Sequence, residues 1–369
     1  MSNICDFCGS SDYEEVYRPI ATKRNSRVCI CNHCGLVFSI HDDIPYSREP
    51  NPSGDADWGN VRFCKGQRLD SLRAEIPTDA TCVLDVGSSR GDFVTWYQQQ
   101  NPHARITALE PDTRIATCPV GVGFIGKRLE DANLPADQYD FVYCNQTLEH
   151  VDHAAAFLRE IWRVMAPGGK LLLEVPNIEC IDYPLNIEEF FIDKHNYHFT
   201  RGTLLRYLCA AKFFVVRVNE DKLNVRVLAT KDDNGWAPHY NPYAGTLIAT
   251  YAHNIQRNRA KLPAVVEQIN RLNRNMKVAF FGANTIMDLM VKYGGLDPST
   301  VGCLVDDYLN KYLPNGIHGI PVQPSEALRL YQPDVCVVLA RFMADAVVKR
   351  AQSYGIRNIV KFADLLQAA

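Results

Sequence analysis

A chain of 369 residues is too long for one ordinary core and has room for two domains of about 100–200 residues plus small additions. Its composition, 47% hydrophobic and 22% charged, supplies packed cores and argues against disorder. A formal charge of -3 leaves no basic surplus to hold a phosphate backbone, which excludes nucleic acid as an expected main partner and points to a small substrate.

At the amino terminus, "MSNICDFCGS" has no basic segment followed by an apolar run. No stretch of about 18 apolar residues occurs further on, so a cytoplasmic protein with no membrane partner is expected. The thirteen cysteines are an odd number; five fall between residues 5 and 34, and the others lie singly in stretches such as "TCVLDVG" and "PDVCVVLA". Metal ligation plus buried thiols suits that distribution better than a disulfide framework. Two knuckles, "CDFCG" and "CNHCG", pair Cys5 with Cys8 and Cys31 with Cys34. The two-residue spacing lets both thiolates of a pair reach one tetrahedral ion, and the glycine that follows suits a tight turn. Residues 1–45 are therefore read as a zinc module with a closed four-cysteine site, structural because four thiolates leave no position open for substrate. Cys29 has no matching knuckle and stays outside the ligand set, and His33 is read as a surface residue.

Beyond a turn-rich linker, "YSREPNPSGDADWG", residues 46–220 alternate apolar runs ("CVLDVG", "RITALEP", "FVYCNQ", "GKLLLEVP") with helical stretches. Such alternation predicts an α/β fold with a mostly parallel, doubly wound sheet. Phe157, Leu158, Ile161, Val164 and Met165 recur at helical spacing, and "APGGK" stops that helix. Residues 221–275 read as a bridging segment, largely helical apart from its proline. Residues 276–369 open with "KVAFFGANTIMDLMV", a strand, turn and helix, and form a second, Rossmann-like α/β domain.

In "VLDVGSSRGDF" a strand runs into a turn carrying Asp85, Gly87, Ser89 and Gly91, and the next strand ends at Glu110. Glycines let the backbone approach a ligand closely, and a carboxylate at the end of the second strand can accept hydrogen bonds from both ribose hydroxyls. A dinucleotide loop would read G-x-G-x-x-G, which this one does not. Asp85 would repel a pyrophosphate, whereas its charge suits the ammonium and sulfonium of S-adenosylmethionine.

The stretch resembles the first motif of class I S-adenosylmethionine-dependent methyltransferases, with Ser89 where the middle glycine often stands. "LEDANLPADQYDFVYCNQTLEHV" and "FLREIWRVMAPGGKLLLEVPN" are similar to later motifs of that superfamily, in order. The resemblance implies that Glu130 or Asp131 lies beside the adenine, with Leu129 and Ala132 as apolar or backbone contacts, and that Asn145 and Gln146 lie near the methionine part. Glu149 and His150 read as capping or packing residues.

A cysteine module, this core and a trailing Rossmann-like unit together resemble the zinc-containing sugar C-methyltransferases of deoxysugar biosynthesis. That resemblance implies methylation of a carbon beside a ketone on a nucleotide-linked sugar, with S-adenosylmethionine and Zn2+ as cofactors. "FGAN" lacks the second glycine of a dinucleotide loop, so the C-terminal domain is expected to help enclose substrate and not to bind NAD. In the family, the loop after the strand ending "EVP" carries a tyrosine and a His-Glu-His run. Aligned with it, "FIDKHNYHFT" keeps His195 at the second histidine but has Ile192 at the tyrosine, Asp193 at the first histidine and Lys194 at the glutamate. His195 is the candidate general base, because imidazole titrates near working pH, with His198 as a second candidate. Either histidine could instead cap the helix beginning "TRGTLLRYL". A base there would also serve a hydroxyl, so sugar O-methylation stands as an alternative, as does a sugar-nucleotide binding protein without catalysis.

Overall fold

The computed structural model describes residues 4–19, 24–42, 69, 72–114, 116–221, 223–232, 243–311, 313, 315–340 and 343–369; the linker "YSREPNPSGDADWG" falls outside them. The chain divides into two compact units. Of the described residues, the first holds those up to 42, from 69 to 182 and from 191 to 249, and the second those from 183 to 190 and from 250 onward.

In the first unit, β1 (Tyr13–Tyr17), β2 (Arg27–Cys31) and β3 (Val37–Ile40) carry the cysteine knuckles. They are followed by β4 (Cys82–Val86), β5 (Arg105–Leu109), β6 (Gly123–Ile125), β7 (Tyr139–Asn145) and β8 (Met165–Pro176). Then come a two-residue strand β9 (Tyr197–His198) and the pair β10 (Phe213–Glu220) and β11 (Asn224–Lys231). Seven strands form one sheet in the order β10-β11-β8-β7-β4-β5-β6. β4 to β8 are parallel, and β11 alone runs against both neighbours. The order doubles back beside β4, and a crevice forms at the carboxyl ends of strands at such a switch point. The sheet runs past residue 220: β11 shows Val225, Val227 and Ala229 to the core at period two, each 0% exposed.

The helix Ala154–Val164 covers one face, burying Phe157, Leu158, Ile161 and Val164 to 2% exposure or less. Each such side chain contributes about 1.5–3 kcal/mol of transfer free energy, so one charge at Ile161 would break this packing. Its first turn is capped from the cysteine module, where the Asp6 carboxylate of the first knuckle accepts from Ala155 N at 2.9 Å and from the Tyr207 hydroxyl at 3.1 Å. Leu36, Phe38 and Ile40 of the module share one apolar core with Leu84, Leu173 and the helix stripe. The module is a distinct stretch of sequence, yet packs as part of the methyltransferase-like core.

β9 joins β1, β2 and β3 in a four-stranded sheet, pairing Val37 with His198 and Phe38 with Tyr197. The segment that opens as "FFIDKHNYHFT" is thus the last strand of the cysteine module's own sheet. The next helix, Arg201–Ala210, is capped by Thr200 and Thr203 in a reciprocal box, so neither His195 nor His198 caps it.

The helix Tyr243–Ala260, which starts in the first unit, and the helix Leu262–Asn275 precede the strands of the second, β12 (Val278–Phe281), β13 (Leu304–Val305), β14 (Val322–Gln323), β15 (Val335–Val338) and β16 (Ile359–Lys361). The proline of this segment, Pro263, sits in the first turn of the second helix, where its missing N–H costs nothing. The five strands are all parallel in the order β14-β13-β12-β15-β16, a Rossmann-like sheet. Among the described residues, no helix is long and apolar enough to cross a membrane.

Candidate active site

The turn after β4 is built for close approach. Gly87 and Gly91 have φ of 79° and 74°, and a Cβ at Gly91 would stand 1.9 Å from Thr117 O, so only glycine fits there. Ser89 adopts the same left-handed region at φ 47°, at the position where glycine often stands in the family it resembles. Gly87 N and Ser88 N donate to Leu109 O, which draws the turn onto the end of β5. Glu110 is 8% exposed and aimed by two backbone donors, Ser89 N and Asp112 N, each 2.9 Å from a carboxylate oxygen. Asp85 is 2% exposed. Burial, and then the charges of Glu110 and Asp92, push its carboxyl well above the usual range, and one of its oxygens has no hydrogen-bond partner among the described residues. An oriented carboxylate at the end of β5 and an orphaned buried carboxylate at β4 are what a ribose and an ammonium group require. The residues therefore fit S-adenosylmethionine.

Asn145 and Gln146 stand at the end of β7, beside this turn. Thr147 Oγ donates to Val86 O at 3.1 Å and packs against Gly87. The two amides are engaged within the fold: Asn145 donates to the Tyr143 hydroxyl, and Gln146 to Asn224 Oδ1 at 3.0 Å and Glu174 Oε1 at 3.3 Å. Glu130 and Asp131 lie on an exposed 3-10 turn, Leu129–Asp131, lining a cleft with Arg128, Asp152 and His153. No described hydrogen bond joins them to Glu110.

Past β7, the turn Leu148–His150 carries Glu149 and His150 against the loop of His195. The His150 and His195 rings are 4.8 Å apart, nearly edge to face. His150 Nδ1 lies 2.9 Å from Lys194 O, so it donates, and Nε2 lies 3.7 Å from the buried Glu149 carboxylate. His195 keeps part of its surface open, but burial, followed by His150, His198 and Lys194, holds its pKa well below the ordinary value. It is neutral, the form a base needs. Burial also lowers the Lys194 ammonium to about 8. The sequence reads His150 as a capping or packing residue; the structure sets its ring against that of His195.

His198 is placed differently. It is 2% exposed, its Nε2 lies 2.8 Å from Ser39 Oγ, its ring stands edge-on to Phe191, and burial, then His41, lowers it to about 3. Asp193, at the family's first histidine, accepts from Ser26 Oγ at 2.5 Å, and its carbonyl accepts from Arg24 at 3.0 Å.

The four cysteine sulfurs lie within 4.8 Å of one another, with Cys5 and Cys34, and Cys8 and Cys31, 3.5 Å apart. Tetrahedral zinc with bonds of about 2.3 Å sets its sulfurs about 3.8 Å apart, so the donor set fits the ion. Cys29 and His33 stay outside the cluster.

Two protein families match successive parts of the chain. A family described as "Methyltransferase domain" matches residues 61–218, and one described as "C-methyltransferase C-terminal domain" matches residues 219–362. The chain is 30% identical over 102 residues, 27% of its length, to "Probable methyltransferase tdiE" of Emericella nidulans, and spans 31% of that protein. It is 30% identical over 118 residues, 30% of its length, to the ubiquinone biosynthesis O-methyltransferase of Xylella fastidiosa, and spans 48% of that one. The chain thus covers less than half the length of each of these relatives. A solved S-adenosylmethionine-dependent methyltransferase of Mesorhizobium loti is 18% identical, covering 46% of this chain and 99% of its own at a TM-score of 0.39, too distant to carry argument. The two matches together run from residue 61 to residue 362, a methyltransferase domain followed by a C-methyltransferase C-terminal domain.

Proposed function

We propose that the protein moves a methyl group from S-adenosylmethionine to a carbon beside a ketone on a sugar, a nucleotide-diphosphate deoxysugar. One observation carries this reading: a neutral, half-buried His195 meets His150 past the end of the strand that flanks the cofactor turn. The match of residues 219–362 to a C-methyltransferase C-terminal domain supports carbon as the acceptor.

When bound, S-adenosylmethionine supplies an electrophilic methyl group on a cationic sulfur. Asp85 would take its ammonium and Glu110 its ribose, with Gly87, Ser89 and Gly91 giving the backbone room and Asn145, Gln146, Glu130 and Asp131 completing the walls. His195 Nε2 or Nδ1 accepts the proton from the carbon beside the ketone, and the charge it gains is met by the Glu149 carboxylate next to His150. Lys194, at the family's glutamate position and in its protonated form below pH 8, stabilises the enolate oxygen. His198 holds the loop. Zinc in the Cys5, Cys8, Cys31 and Cys34 cluster is structural.

Incubation with methyl-labelled S-adenosylmethionine and a panel of 4-keto and 4-hydroxy sugar nucleotides tests this. Label transferred to carbon of a keto sugar is expected. Transfer to oxygen of a hydroxy sugar alone would replace the reading with O-methylation, the reaction named for the Xylella relative. Saturable sugar binding without transfer would remove catalysis altogether.

A further inference from the structure

Asn196 separates His195 from β9, is 1% exposed, and makes five hydrogen bonds. Its backbone N donates to Glu149 O at 2.7 Å, and its carbonyl accepts from Ser39 N at 2.9 Å. The side-chain amide donates to His150 O at 3.1 Å and Val151 O at 3.0 Å, which fixes its orientation. Its Oδ1 therefore faces His41 Nε2, 3.2 Å away, as an acceptor, and His41 must carry a proton on Nε2. On its other side His41 meets Ser26, which bonds Asp193. One side chain thus ties together the turn bearing Glu149 and His150, the loop bearing His195, and the strands that carry the cysteine cluster.

We infer that Asn196 is a positioning residue: with His41 behind it, it sets His195 against His150 and makes the cysteine module's sheet the scaffold of the base. Aspartate would aim an anionic oxygen at two carbonyls, and alanine would leave buried acceptors and the His41 donor unmet. Displacing a catalytic group by about 1 Å can cost 100-fold in rate. The departure from the family at Asp193 then follows from the same requirement, since Asp193 is a strut to Ser26 and Arg24 and not a group aimed at substrate.

This inference rests on the reading of His195 as the base, and its test has one readout that does not depend on it. Asn196→Ala and Asn196→Asp should lower kcat at least tenfold, leaving S-adenosylhomocysteine affinity and zinc content within twofold of the parent protein. His41→Gln, which keeps a donor at the Nε2 position, should restore most of the turnover that His41→Phe loses. Independently of turnover, nitrogen-15 histidine spectra of the parent protein should show His41 protonated on Nε2 and His150 on Nδ1. The His150 signature should be lost in Asn196→Ala. Turnover of Asn196→Ala within twofold of the parent would overturn the inference, as would an unchanged His150 signature, or parallel loss of cofactor affinity and zinc. If only His195→Ala retained full turnover, the base assignment would fail while the spectra still judged the positioning.

Discussion

Asp85→Asn separates cofactor binding from stability because the same carboxylate acts on both in opposite directions. In the free protein Asp85 is 2% exposed, faces the field of Glu110 and Asp92, and keeps one oxygen without a hydrogen-bond partner among the described residues. Burying an unmet polar atom of this kind costs about 1–3 kcal/mol. Removing the charge should recover on the order of 1 kcal/mol, a rise of about 2–4 °C in melting temperature for a unit of this size. A charge-assisted hydrogen bond to the cofactor's ammonium is worth about 1.5–3 kcal/mol, so the same variant should bind S-adenosylhomocysteine about 10- to 150-fold more weakly. The sign with pH follows from the raised pKa. The carboxylate's cost is present above the folded-state value and relieved as pH falls through it, so the melting-temperature gap between variant and parent should narrow on acidification. Calorimetric titration and thermal melts read both quantities. Unchanged affinity, or a free variant that melts below its parent at neutral pH, would refute the reasoning.

Other outcomes are expected from the same site. His195→Ala should lower turnover at least tenfold with S-adenosylhomocysteine affinity nearly unchanged, measured by single-turnover transfer and titration. The lowered pKa of His195 keeps the base neutral well below the usual histidine value, so turnover should not fall as pH drops from 7.5 to about 6.5; a sharp decline there would contradict its burial. Lys194, lowered to about 8, should give an alkaline inflection in the pH–rate profile that Lys194→Met abolishes. Because burial disfavours its charged form, the destabilisation it causes should ease as pH rises from 8 toward the unfolded value of about 10.4. Ser89→Gly should relieve about 1 kcal/mol of left-handed strain, offset in part by chain entropy, and leave cofactor affinity intact. Protein purified without chelator should carry one zinc, and stripping it should lower the melting temperature; less than half an equivalent of zinc would exclude the cysteine assignment.

Much of this was legible because it is local. The knuckle spacing, the β4 turn and the helix stripe at Phe157 to Val164 are written within a few residues of each other, and each forms as its pattern requires. The sheet's extension into β11 was also written, as the alternation of Val225, Val227 and Ala229, but that signal competes with the Asp221 turn before it. What could not be read was long-range pairing. Nothing near His198 announces that it bonds Ser39, 159 positions away, or that Asp6 caps a helix 149 positions on. The contact of His150 with His195 was hidden for the same reason, since His195 comes from the far side of β8.

The most direct test is hydrogen exchange at carbon. A 4-keto sugar nucleotide incubated in deuterium oxide with the protein and S-adenosylhomocysteine should gain one deuteron beside the ketone, followed by mass spectrometry and proton spectra. His195→Ala should slow that gain at least tenfold. A parent protein that methylates its sugar without any such exchange, placing the methyl on oxygen, would contradict proton removal from carbon by His195.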